Sequence, residues 1–573
     1  MRVLTTLTAL VGVLENAFAA NSTFYNPILP GWHSDPSCAQ VNGTFYCVTS
    51  TFIAFPGLPV YASKDLINWK LASHAWSRES QLPGLSWGTV EQQQGMYAAT
   101  LRYHEGTFYV ICEYLGVPGG IRGVLFKTTD PFTDSWSDPV LFKPTKIDPD
   151  LFFDDDGTVY SATQTILLQT LNINTGELGE ATNPWNGTGG VWPEGPHIYK
   201  KDGYYYLLIA EGGTAEDHAV TMARAKVSDG IEGPYTPYEK NPVLTARGTD
   251  AYFQTVGHAD LFQDTKGNWW GVALATRTGP EHEIYPMGRE TVLFPVTWEE
   301  GEYPIASTVR GKMSGWELPP PKRDLPGDGP FVSDPDEYDF PTLSALPRNL
   351  MYWRVPASKA FAISRQGLEV VPSRNNLTGV MGDVELNGQS GLSFIGRRQE
   401  HTEFNYSVDV TAPKSEGTEA GVTVFLTQFN HLDLGVMRTK SGLSLRFRAE
   451  AQSVSVPVPA TKSIPLPKPW VNGTIRLEIQ AGNRTHYSFS ASRVGDNGKV
   501  IKGSRQDVAV ASAALVSGGT GTFVGTLVGV YATCEGAGKG ASCPAGTGQA
   551  YFNRWRYQGE AQAISATETV PSK

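Results

Sequence analysis

A turn glycine followed by an aromatic strand occurs five times in the first half of the chain, as NGTFYCV at Gly43, EGTFYVI at Gly106, DGTVYSA at Gly157, DGYYYLL at Gly203 and KGNWWGV at Gly267. A turn signal that leads into alternating aromatic and β-branched residues marks the second arm of a β-hairpin. The glycines lie 63, 51, 46 and 64 residues apart, too irregular for a solenoid but suited to sheets of about four strands joined by variable loops. Further strand-like runs follow the hairpins: LPVYASKD, GVLFKTTD, ILLQTLNI, VTMARAKV and TVLFPVTW. The pattern predicts an all-β chain whose first half, residues 21–312, is a five-bladed β-propeller. Only 18% of the residues are charged, and 61 glycines and 39 prolines supply the turns that such a fold needs.

Stepping back along the first arm of each hairpin picks out a set of functional side chains. Asp35 lies eight residues before Gly43, and Tyr97, Asp148, Glu194 and His258 each lie nine before their glycine. Equivalent positions of successive blades are related by rotation about the central axis, so strand openers converge on one funnel. Taken singly, Asp35 and Asp148 precede prolines and read as turn initiators, Glu194 reads as a loop acid and His258 as a strand histidine. Their shared register is what turn acids do not require. Glycosidic cleavage needs one carboxylic acid to protonate the leaving oxygen and one carboxylate to activate water or attack the sugar. A third carboxylate near the acid disfavours loss of its proton.

The residues HSDPS (33–37), KIDPDLFFDDDG (146–157), WPEGPHIY (192–199), GHADLF (257–262) and MGRETVLFPV (287–296) together resemble glycoside hydrolase family 43, in particular its secreted fungal β-xylosidase and α-L-arabinofuranosidase branch. The resemblance extends through RRQEHTEF, EAGVTVFLTQ and HLDLGV in the second half. It implies inversion at the anomeric carbon, with Asp35 as general base, Glu194 as general acid, and Asp148, rather than its neighbour Asp150, orienting the acid and raising its pKa. It further implies that Phe52 lines the sugar subsite, that Arg289 bonds substrate hydroxyls and that His258 sits on the axis. No cofactor is required by this chemistry; in related enzymes the histidine can lie beside a central calcium, so the resemblance allows a structural calcium near His258. Two positions depart from the family pattern. Tyr97-Ala98-Ala99 stands where many relatives have Trp-Ala-Pro, which alters a wall facing the sugar, and Ser34 replaces a proline before the catalytic aspartate.

The activity implied is that of an exo-glycosidase releasing terminal α-L-arabinofuranosyl residues from plant cell-wall arabinoxylan. The alternatives are a β-D-xylosidase acting on xylo-oligosaccharides, and a non-catalytic carbohydrate-binding propeller. A net charge of −11 and the absence of a basic stripe argue against a nucleic-acid partner. No HExxH or comparable metal-hydrolase cluster appears in the sequence.

Residues 1–20 have the layout of a secretory signal: a basic Arg2, a short apolar stretch, then small residues at Ala17 to Ala20. No later apolar run reaches the roughly 20 residues of a membrane helix, so a secreted, extracellular protein without a membrane partner is expected. Sequons at Asn21, Asn42, Asn186, Asn376, Asn405, Asn472 and Asn483 fit that route as glycosylation sites. Five cysteines are too few for a disulfide scaffold or zinc site. Cys534 and Cys543 flank a Gly-rich loop and are expected to form a disulfide. Cys38 and Cys47 are candidates to pair across a hairpin, which leaves Cys112 as a buried thiol.

Residues 313–342 are Pro- and Gly-rich and read as a linker packed against its neighbours. From 343 to 560, runs such as FNYSVDV, GVTVFLTQF and TIRLEIQ alternate with turns, as in a two-sheet sandwich. This region most resembles the concanavalin-like β-sandwich of the same branch. Its role is read as a partner that narrows the propeller's mouth rather than a polysaccharide-binding module, with Trp470 and Trp555 equally suited to a core or a binding face. Residues 561–573 are small and polar and are expected to be a disordered tail.

Overall fold

The computed structural model describes residues 22–572 except 84–88, 90–91, 118, 375–376, 378–391 and 535–542. The expected sequons at Asn21 and Asn376 fall outside the described residues. The fold is all-β, and the described residues contain only strands and short 3-10 turns.

In the first half, each of the five glycine motifs turns a hairpin at the inner edge of its own antiparallel sheet: Ser37–Val41 with Thr44–Val48, Thr100–His104 with Thr107–Tyr114, Phe152–Phe153 with Val159–Thr163, Glu194–Lys201 with Tyr204–Glu211, and Phe253–Gln263 with Trp269–Arg277. The five turn glycines have φ between 79° and 86°, a left-handed conformation that a Cβ disfavours.

The inner strands are laced into a closed ring by side chains. Ser37 Oγ of the first sheet donates to Asp260 Oδ2 of the fifth at 2.6 Å, and the amide of Leu101 in the second donates to Ser37 Oγ at 3.0 Å. Arg102 Nη2 donates to Asp150 Oδ1, just ahead of the third sheet, at 2.7 Å, and Asp150 Oδ2 accepts from the amide of Ile198 in the fourth at 2.9 Å. Tyr199 then donates to Asp260 Oδ1 at 2.7 Å and completes the circuit. Asp150 and Asp260 are fully buried, so their charges must be met within the protein. Arg102 meets both.

The ring is also clasped at its chain ends. The strand Ser22–Tyr25 pairs with Lys312–Gly315, and the Asn26 side chain donates to Leu293 O at 2.9 Å and accepts from Leu293 N at 2.8 Å. The first unit therefore runs past residue 312 into the stretch expected to be linker.

The second half is a sandwich of a nine-stranded and a six-stranded sheet. It recruits Asp336–Tyr338 from the expected linker, which pairs with the long strand Ala550–Ala563. The expectation of a disordered tail is corrected: Ala550–Ala563 runs into it, Thr569–Pro571 pairs back on that strand, and Ala563 and Ile564 are buried. Backbone pairing, to which side-chain composition is nearly blind, orders this segment. Trp470 and Trp555 are buried in the sandwich core, not displayed on a face.

The main apolar core is continuous across the two units. Trp32, Phe52, Ile53 and Ala54 of the first half belong to the same buried cluster as Trp353, Phe394, Phe425 and Leu527 of the second. Arg398 reaches across to donate to Trp32 O at 2.7 Å. Disulfides join Cys38 to Cys47, directly opposite each other in the first hairpin, and Cys534 to Cys543; Cys112 is a buried free thiol. The asparagines of the described sequons, Asn42, Asn186, Asn405, Asn472 and Asn483, are all exposed.

Candidate active site

Three of the five residues picked out along the inner strands, and the neighbour of a fourth, share a backbone device. Asp35, Asp148 and His258 have φ of 50°, 59° and 51°, and Gly195, next to Glu194, has 53°. A left-handed residue breaks the strand alternation and redirects the local side chains. His258 differs from the others in lying within its strand, beside two register shifts between Gln254 and Asp260, rather than at its start.

All seven residues singled out in the sequence, Asp35, Phe52, Tyr97, Asp148, Glu194, His258 and Arg289, line one cavity of about 190 Å³. Asp35 Oδ2 accepts from Ser50 Oγ at 2.6 Å, while Oδ1 faces Arg289 Nη1 at 3.6 Å and His258 Nδ1 at 4.0 Å. Asp148 Oδ2 accepts from the amide of Gly195 at 3.1 Å, which ties it to the segment carrying Glu194. Glu194 Oε2 accepts from Gln164 Nε2 at 3.1 Å. Phe52 packs edge-on against Tyr97, with ring centroids 5.0 Å apart. Asp150 is excluded from the cavity and spends its charge on Arg102 and His197.

The site is buried and crowded with acids. Burial raises the pKa of Glu194 to about 7, with Asp35 pushing the same way and the Gln164 hydrogen bond and Arg289 opposing. Burial, with Glu194, Glu113 and Asp35 nearby, pushes Asp148 well above the usual carboxylate range. Burial lowers His258 to about 4 and His218 to about 3, so both imidazoles are neutral near pH 7. The arrangement pairs a carboxyl that keeps its proton near neutrality with a second carboxylate facing a cation, the provision that acid–base hydrolysis requires.

Several lining residues carried no sequence signal that singled them out. Phe523 comes from the sandwich; its carbonyl accepts from Ser34 Oγ at 3.0 Å, its ring lies 4.2 Å from the Arg289 guanidinium, and it stacks on Phe52 at 6.3 Å. Ser34 thus helps hold a wall of the cavity. Gln164, Trp192, Thr214 and His218 also line the cavity. Behind it lies Glu113, fully buried, its carboxyl raised to about 8 by burial; among the described residues neither oxygen has a hydrogen-bond partner at normal range, and the backbone amides of Asp148 and of Glu113 itself lean towards it.

Asp150 and Asp260 are not free to serve the calcium that the resemblance allowed near His258. Both of these buried acids are bonded to Arg102, whose Nη1 reaches Asp260 Oδ2 at 2.8 Å. Among the described residues, no three His, Cys, Asp or Glu side chains are grouped to hold a metal ion.

Comparison with known proteins gives the same picture. Residues 24–304 match the family described as "Glycosyl hydrolases family 43", and residues 337–558 match "Beta xylosidase C-terminal Concanavalin A-like domain". The chain is 36% identical over 541 residues to the non-reducing end alpha-L-arabinofuranosidase BoGH43B of Bacteroides ovatus, covering 92% of this chain and 95% of that one. It is 32% identical over 546 residues to a xylosidase/arabinosidase of Butyrivibrio fibrisolvens, covering 89% and 96%. The solved structure titled Bacteroides ovatus Xyloglucan PUL GH43B superposes with a TM-score of 0.78 at 33% identity, over 94% of this chain and 99% of that one.

Proposed function

The chain belongs to glycosyl hydrolase family 43, and on that premise we propose that this glycoside hydrolase is an inverting, exo-acting α-L-arabinofuranosidase that removes terminal arabinose from arabinoxylan side chains. The observation that carries the reading is the single small cavity in which Asp35, Asp148 and Glu194 meet Arg289. Its volume is below the range of about 300–1,000 Å³ common for drug-sized ligands, which suits one terminal sugar, and Phe523 walls it on the sandwich side. In this reading Glu194 gives its proton to the glycosidic oxygen as Asp35 takes one from the attacking water. Asp148 holds the Glu194 segment through the Gly195 amide, and the charge of Asp35 resists loss of the acid's proton by like-charge repulsion. Arg289, Phe52, Tyr97 and His258 position the sugar.

Arabinose is favoured over xylose by the name of the Bacteroides ovatus relative. The name of the Butyrivibrio fibrisolvens relative, xylosidase/arabinosidase, supports β-D-xylosidase activity as a second reading. Sugars released from arabinoxylan, from arabinose-bearing xyloglucan oligosaccharides and from xylobiose separate the two; xylose from xylobiose with no arabinose from either polymer would overturn the first. The initial anomer, followed by NMR, tests inversion. Asp35→Ala is expected to lower kcat at least about 100-fold on every substrate. Glu194→Ala should do so on natural glycosides but far less on those with an acidic leaving group, which needs little protonation. Hydrolysis undiminished in both variants removes the role assignment.

The leader at 1–20 and the exposed sequon asparagines support export as a glycoprotein. Intact-mass measurement of secreted protein before and after deglycosylation tests this.

A further inference from the structure

Trp192 is the most solvent-exposed aromatic among the large apolar side chains that stand out from the surface, at 61%, and its neighbour Val191 follows at 59%. An indole so exposed gains little from burial, yet it is held in place. Val191 O accepts from the amide of Gly212 at 2.9 Å, and Pro193 O accepts from the amide of Thr165 at 2.7 Å, so the segment is pinned on both sides of the ring. Upstream, Glu211 accepts from the amide of Thr188 at 2.9 Å and from its hydroxyl. The ring lies over Gly213, where a Cβ would sit 3.6 Å from it. The backbone of Trp192 is left-handed, with φ of 51°, a conformation that is costly for a bulky residue and tends to persist at ligand sites.

The same ring lines the cavity two residues before Glu194. Because the acid must face the leaving oxygen, the sugar on the departing side of the scissile bond lies next to Glu194 and outside the terminal pocket. A flat indole on a pinned backbone at that place offers a surface on which the C–H face of a pyranose can stack. Its cavity neighbours on that side, Gln164 and Thr214, are uncharged, which suits a neutral sugar. We propose that Trp192 is the platform of a leaving-group subsite that binds the pyranose unit to which the terminal pentose is attached, so that it sets the preference for polymer-borne over free or small glycosides. This rests on the exo-glycosidase reading above.

The test compares Trp192→Ala and Trp192→Phe with the wild-type enzyme on a defined arabinoxylan oligosaccharide, alongside inhibition by free L-arabinose, which fills only the terminal pocket. Trp192→Ala is expected to lower kcat/KM on the oligosaccharide about tenfold or more, about 1.4 kcal/mol, chiefly through KM. The inhibition constant of L-arabinose should stay within about twofold on the same scale, and Trp192→Phe should recover most of the loss. An unchanged kcat/KM, or equal weakening of oligosaccharide and free sugar, overturns the proposal. If the wild-type enzyme releases xylose instead, the pair becomes xylobiose and D-xylose and the subsite is tested unchanged. Wild-type protein that releases no pentose at all instead refutes the activity.

Discussion

Glu194 keeps its proton to about pH 7 because it is buried among other acids, and the Gln164 hydrogen bond is one of the few interactions that favours its anion. As the proposed general acid it is competent only while protonated. The alkaline limb of the kcat/KM profile should therefore fall through about pH 7, and Gln164→Leu should move it upward by up to about 1 pH unit, since a hydrogen bond to a charged group contributes about 1.5 kcal/mol or more. A limb that moves down, or stays put, contradicts the assignment of Glu194. The positions of Asp35, Asp148 and Glu194 were legible in the sequence because each stands eight or nine residues before a turn glycine. Glu113 was not: it sits in the strand ICEY, where nothing in the alternation tells a buried carboxyl from an exposed one. Phe523 was out of reach for another reason, since it enters the cavity from a loop nearly 500 residues from Asp35 in the chain.

At the scale of strands, the five hairpins were written in their glycines, whereas His258 shows where counting fails. Two register shifts in Phe253–Gln263 lengthen that strand past its opener, and a bulge of this kind leaves the apolar pattern almost unchanged. The knot of Ser37, Arg102, Asp150, His197, Tyr199 and Asp260 was equally hidden, because ion pairs between strands depend on which sheets become neighbours. Arg102→Met would strand two buried carboxylates and should cost about 3–5 kcal/mol, read as a lower melting temperature. Treating the wild-type protein with EDTA should leave both melting and activity unchanged. A chelator-induced drop, restored by calcium, would show that a metal and not Arg102 carries the ring.

Across the whole molecule, two folded halves were apparent from the change in pattern near residue 340, but their fusion into one core was not, since Trp32 and Phe52 look like ordinary residues of the first half. Their burial against Trp353, Phe394 and Phe425 leaves neither half a complete interior. Calorimetry should accordingly show one cooperative transition, and residues 22–315 made alone should be inactive, lacking Phe523 and exposing Trp32. Two separate transitions, or an active fragment, would argue for independent domains. The ring of sheets has its own consequence. A cation that arrives from solution is subject to mass action, and is lost on dilution or to any competing chelator. A guanidinium supplied by the chain has no off-rate; its local concentration is fixed at synthesis, so the neutralisation of Asp150 and Asp260 does not depend on any ion in the medium.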